Sequence, residues 1–127
     1  MAGTNVTVVE GDATRMPFTD GSFSTVLAFT MLHHVPSVAL QDQLLAEAQR
    51  VLRPGGLFIG TDNTVSLSFR LIHLGDTLVP VDPDNFAERL RAAGFADVSI
   101  ERRWRSFCFR AVSAAKRLPP TLEKLLV

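Results

Sequence analysis

The feature that most constrains this chain is an alternation of short apolar runs with one amphipathic stretch. Asn5 to Glu10 is rich in β-branched residues and stops at Gly11, which predicts a strand followed by a turn. Pro17 and the cluster Thr19, Asp20, Gly21 and Ser22 mark a loop. Ser24 to Phe29 is an apolar run that fits a strand buried on both faces. Ser37 then offers a helix cap, and Leu40, Leu44, Ala48 and Val51 recur at spacings of four, four and three. Leu45 and Leu52 widen that stripe, so one helix face packs on a sheet. Pro54, Gly55 and Gly56 are expected to end the helix, and Leu57 to Thr61 is a further apolar strand. Strand, loop, strand, helix, strand implies parallel βαβ units and an α/β fold.

The second crossover is less regular. Ser66 to Leu74 has the apolar spacing of a helix. Asp82 followed by Pro83 is a stronger start signal, a cap with proline at the first helical position. Phe86, Leu90 and Ala93 supply the buried stripe, and Gly94 the stop. Val98 and Ile100 alternate with polar neighbours, as do Phe107, Phe109 and Ala111, which predicts an antiparallel hairpin at a sheet edge. The tail from Pro119 to Val127 fits a short helix. At 127 residues the chain is read as a single domain over 1–127.

Composition removes several function classes. Hydrophobic residues make up 46% and charged residues 20%, which argues against disorder. Lys and Arg total 13, as do Asp and Glu, so no bulk positive field draws in nucleic acid. Arg102, Arg103 and Arg105, alternating with Trp104, read as a solvated strand edge. A single cysteine, Cys108, permits no disulfide framework within the chain, which fits a reducing compartment. There is no membrane-span-length apolar run and no basic-then-apolar leader pattern, so the expected location is the cytoplasm.

Three stretches in order carry a family resemblance. The first runs Gly11–Asp12–Ala13, Met16–Pro17–Phe18 and Asp20–Gly21–Ser22–Phe23. The second is Leu32–His33–His34–Val35. The third is Arg50–Val51–Leu52–Arg53–Pro54–Gly55–Gly56. With Ala93–Gly94–Phe95 they resemble the type 11 branch of the class I S-adenosylmethionine-dependent methyltransferases, over roughly residues 5 to 114. Ser24 departs from the family's usual aspartate. The resemblance implies a partial doubly wound, Rossmann-like sheet ending in the antiparallel hairpin. It also implies that the chain is truncated, supplying the third through seventh strands. The glycine-rich cofactor loop and the acidic residue that holds the ribose hydroxyls are expected to be missing.

The same resemblance assigns candidate site residues. Asp12 would accept from the adenine amino group and the Ala13 N–H would meet a ring nitrogen, whereas an Asx-turn is the purely structural reading of Asp12. Met16 and Phe18 would wall the adenine or simply pack in the core. Thr30 would border the sulfonium, although a hydroxyl at a strand end is commonplace. His33 and His34 are the weak catalytic candidates, because imidazole titrates near neutrality. Neighbours cannot both face one pocket, and the bland reading has His34 packing locally and His33 exposed. No ligand spacing for a metal is seen. Arg50 to Gly56 is a family marker with a structural role. The stretch from Asn63 to Asp82 should cover an apolar acceptor pocket.

The expected function is methyl transfer from S-adenosylmethionine to a small or apolar acceptor, with this chain binding the adenosine end of the cofactor or none of it. The alternative is a non-catalytic family fragment that acts as an interaction module or completes a partner chain. The family order places the first two strands between the third and fourth. Without them Ser24–Phe29 presents an apolar edge, satisfied either by direct pairing with Asn5–Glu10 or between chains, as a homodimer or with a partner.

Overall fold

The computed structural model describes residues 5–64 and 79–114. Its strands and helices are β1 (Phe23–Phe29), α1 (Val38–Val51), β2 (Leu52–Asn63), α2 (Pro83–Ala92), β3 (Phe95–Arg102) and β4 (Ser106–Ser113), with a 3₁₀ turn over Leu32–His34. They form a four-stranded sheet of order β1-β2-β4-β3. β1 and β2 are parallel, while β4 runs antiparallel to both of its neighbours. The α/β reading holds, and so does the hairpin. Its second strand, β4, inserts beside β2 and leaves β3 at the edge.

Local chemistry explains the helix ends. The Ser37 hydroxyl accepts from the Leu40 N–H at 3.1 Å, which satisfies one orphan donor of the first turn. Asp82 does the same for Asp84, with Pro83 at the first helical position. Helix α1 ends at Val51, earlier than its Pro–Gly–Gly sequence suggested. Leu52 already pairs with Phe23, and the ladder resumes at Thr25 with Leu57. Residues 53–56 therefore form an irregularity inside β2 rather than a stop after the helix. Gly55 has φ +80°, a conformation that favours glycine.

The core lies on one face of the sheet. Phe58 on β2 and Phe107, Phe109 and Ala111 on β4 are buried there, with Leu44, Leu45 and Ala48 of α1 and Phe86 and Leu90 of α2. Leu40 stays half-buried. The aromatic rings meet edge-on, at 5.0 Å between Phe58 and Phe109 and 5.0 Å between Phe86 and Phe109. Gly60 makes this packing possible. A Cβ there would fall 2.1 Å from the Ala28 carbonyl oxygen and 2.6 Å from the Phe109 ring. The opposite face is only half-covered, at Leu57, Ile59, Cys108 and Val112.

The expected strand over residues 5–10 is not formed, and neither is its direct pairing with β1. Residues 5–11 belong to no strand and are exposed, with Val8 85% accessible. A strand is held by its ladder, and no described strand lies alongside this one. The sheet thus has four described strands where five were expected. The helices expected over Ser66–Leu74 and the tail, and most of the expected acceptor cover, lie outside the described residues.

At the hairpin tip the basic cluster is exposed, as anticipated. Arg102 pairs with Asp84, Arg103 with Glu101, and the Arg105 guanidinium sits 4.2 Å from the Trp104 ring centre. Such surface pairs add little stability.

Candidate functional site

The carboxyl ends of the parallel strands define the rim where open α/β sheets bind ligands. β1 ends at Phe29 and β2 at Asn63, and the 3₁₀ turn sits between them in the fold. Thr30 donates its N–H to the Thr61 carbonyl at 2.8 Å. Its φ is +54°, an uncommon conformation for a β-branched residue.

Asp12 lies in a tight turn closed by the Arg15 N–H on the Asp12 carbonyl at 2.9 Å. One carboxylate oxygen, Oδ1, accepts both the Thr14 N–H at 2.9 Å and the Thr14 hydroxyl at 2.7 Å. The Asx-turn therefore exists, and it engages only that oxygen. Among the described residues nothing bonds Oδ2, and the Ala13 N–H has no acceptor. The Thr14 main-chain donor, then its hydroxyl, hold the Asp12 carboxyl below the usual carboxylate range. Asp12 is thus an ionised, acceptor-only group at neutral pH.

A pocket of about 200 Å³ opens at this turn, lined by Val9, Gly11, Asp12, Ala13, Met16, Pro17 and Phe18. The structure thereby gathers four of the five proposed cofactor residues into one concavity. Met16 and Phe18 lie outside the buried core cluster and line this space, with the Phe18 ring edge-on to Phe23 at 4.9 Å. Thr30 does not line it. On the other side of the turn lies a larger pocket of about 420 Å³. Asp12, Ala13 and Thr14 line it with Met31, His34, Val35 and Leu40.

The two histidines separate, in the opposite sense to the bland expectation. His33 is buried at 2% and His34 is exposed at the mouth of the larger pocket. The rings stay in contact, with centres 4.1 Å apart. His33 Nδ1 lies 2.7 Å from Asp62 Oδ1. The second Asp62 oxygen accepts the Leu32 and His33 N–H groups at 2.9 and 3.3 Å. The Asp62 carboxylate also accepts the Asn63 N–H at 2.8 Å. A buried carboxylate survives because donors surround it. Gln41 extends the network, its amide donating to the Leu32 carbonyl at 3.1 Å and the Val79 carbonyl at 2.7 Å.

Sequence reasoning missed Asp62 and Gln41. Asp62 directly follows the predicted strand Leu57–Thr61 at the ligand-binding rim, which was a usable signal. Gln41 sits beside the apolar stripe of α1, where a glutamine reads as solvated. Among the described residues no group of His, Cys, Asp and Glu is arranged to hold a metal ion, and no described helix is long and apolar enough to cross a membrane.

Comparison with known proteins agrees with this fold. Residues 1–60 match the family described as a methyltransferase domain. A ubiquinone/menaquinone biosynthesis C-methyltransferase of Methylobacterium nodulans is 35% identical over 119 residues, covering 72% of this chain and 46% of that protein. A sterol 24-C-methyltransferase of Gibberella zeae is 34% identical over 99 residues, covering 68% of this chain and 25% of that protein. A solved S-adenosylmethionine-dependent methyltransferase of Thermotoga maritima, a possible histamine N-methyltransferase, superposes with a TM-score of 0.68 at 20% identity. That match covers 85% of this chain and 64% of that one. The chain belongs to the S-adenosylmethionine-dependent methyltransferase family. It spans less than half the length of either curated relative.

Proposed function

We propose that this chain supplies the adenosine-binding side of a methyltransferase site whose acceptor is small or apolar. The observation that carries the reading is the Asp12–Ala13 pair. An unengaged carboxylate oxygen beside a main-chain N–H without an acceptor forms an acceptor–donor couple, complementary to the amino group and adjacent ring nitrogen of adenine. The apolar Met16 and Phe18 side chains offer the ring a wall. These residues fit the adenine end of S-adenosylmethionine. When bound, the cofactor supplies a methyl group already activated on a sulfonium, so the protein's task is mainly positioning. Thr30, at the rim, is our candidate for the residue bordering that sulfonium.

Of the two histidines, His34 faces a pocket and is the better candidate to take a proton from an acceptor that must lose one. His33, paired with Asp62, serves to hold the turn that carries His34. The relatives named for quinone and sterol acceptors support an apolar substrate, as do Met31, Val35 and Leu40 in the larger pocket.

A second reading concerns assembly. Leu27 and Phe29 on β1 are 58% and 60% exposed, and the outer edge of β1 has no strand beside it among the described residues. An apolar free edge supports a homodimer or a partner chain that completes the sheet, with or without catalysis.

Calorimetric titration with S-adenosylhomocysteine tests the main reading. Binding that Asp12→Ala abolishes is expected. A folded wild-type protein with no measurable binding would reduce the resemblance to shared ancestry and leave the assembly reading standing.

A further inference from the structure

The pocket wall at Met16 and Phe18 is held by one side chain on a distant helix. We propose that Arg50 is the positioning residue that sets this wall, an inference that rests on the adenine reading for what the wall faces. Arg50 Nη1 donates to the Phe18 carbonyl at 2.7 Å, and Nη2 to the Met16 carbonyl at 3.0 Å. One guanidinium thus ties both wall residues through their main chains, more than thirty positions away in sequence. Its remaining donors fix the guanidinium itself. Nη1 also meets Asp20 Oδ1 at 2.8 Å, and Nε and Nη2 meet Glu47 Oε2 at 2.8 and 2.6 Å. The Arg50 main chain adds a further tie, its carbonyl accepting the Gly21 N–H at 3.0 Å.

The helix face around Arg50 works the same way. Gln43, Glu47 and Arg50 are spaced four and three apart, so they share one face of α1. Gln43 donates to the Thr14 carbonyl at 3.0 Å and so steadies the Asp12 turn. The loop from Thr14 to Gly21 has no ladder of its own beyond the Asp12–Arg15 bridge. Its shape is therefore borrowed from α1. Only a planar fork with several donors can hold two carbonyls and two carboxylates at once, so lysine is a poor replacement. The bonds to Glu47 and then Asp20 raise the Arg50 pKa, and the fork stays charged throughout the working range.

The test uses the whole chain with methionine methyl groups labelled by carbon-13, giving signals for Met1, Met16 and Met31. In the ligand-free protein, Arg50→Lys should shift or broaden the Met16 signal and leave Met31 in place. Affinity for S-adenosylhomocysteine should fall at least tenfold. Glu47→Gln, which loosens the fork without removing it, should produce the same changes in smaller measure, and it stands in if Arg50→Lys fails to fold. A Met16 signal that does not move in the folded variants overturns the proposal. So does an affinity within twofold of wild type. If the wild-type protein binds no S-adenosylhomocysteine, the adenine reading fails. The Met16 response then decides by itself whether Arg50 sets the wall.

Discussion

The centre and the β1 edge of the described sheet are built from similar residues and treated in opposite ways. On the central strands β2 and β4, Phe58, Phe107 and Phe109 are almost wholly excluded from water. At the β1 end, Leu27 and Phe29 remain more than half exposed, as do Val6, Val8 and Val9. Hydrophobicity does not separate the two groups. What separates them is cover. Phe58 and Phe109 point to the face packed by the helices, as does Ala28 on β1 at 4% exposure, whereas Leu27 and Phe29 point to the opposite face from a strand with a neighbour on one side only. An apolar residue contributes to stability only where other elements exclude its water.

The comparison breaks first at Gly60. Gly60→Val should prevent cooperative folding, because its Cβ would overlap backbone on β1 and a ring on β4 at once. Circular dichroism with a urea titration reads this, and a Gly60→Val protein with the wild-type midpoint would refute the packing described. Phe109→Ala should cost about 3–5 kcal/mol by the same titration, as large-to-small core changes do. Asp62→Ala removes the carboxylate that meets the buried His33 ring and accepts from three main-chain donors, those of Leu32, His33 and Asn63. It should cost about 3–5 kcal/mol. His34→Ala, on the exposed neighbour, should leave the midpoint nearly unchanged.

On the exposed side the expectations invert. Leu27→Lys should alter the stability of the isolated chain by about 0.5 kcal/mol or less, yet reduce self-association in sedimentation velocity if the free edge is an interface. Equal sedimentation of both proteins over a wide concentration range would count against that use of the edge. The smallest change expected is a gain. Among the described residues, the Ser113 hydroxyl is buried without a partner. Ser113→Ala should stabilise by about 1 kcal/mol by removing an unsatisfied group.

Asp12 adds a pH dependence of known sign. Its folded pKa is depressed, so it binds a proton less readily folded than unfolded. Its contribution is therefore full above the ordinary aspartate range and is lost as pH falls through the lower, folded value. Carbon-detected titration of the Asp12 carboxyl should find its midpoint below that of the unfolded chain. Thr14→Val, which removes the hydroxyl donor, should move it upward.

Much of the fold was legible because it is written locally. Ser37 and Asp82 cap the helices they were expected to cap, and the alternation at Phe107, Phe109 and Ala111 does form a strand. The candidate site was partly legible. The Gly11–Asp12–Ala13 turn and its Met16 and Phe18 wall follow one another in the chain, so a motif could mark them. The roles of His33 and His34 were not legible. Adjacent identical residues differ only in what reaches them from elsewhere, here Asp62 twenty-nine positions on.

The sequence by itself thus determined the α/β class, the helix caps, the hairpin, the family and the short turn that bears Asp12. Each is set by interactions within a few residues or by an ordered motif. Only the tertiary structure decided that residues 5–10 would not form a strand, that His33 would be buried against Asp62, and that Arg50 would hold the loop below the pocket. Those outcomes depend on which distant backbone and side-chain groups come within hydrogen-bonding reach, and no local periodicity encodes that.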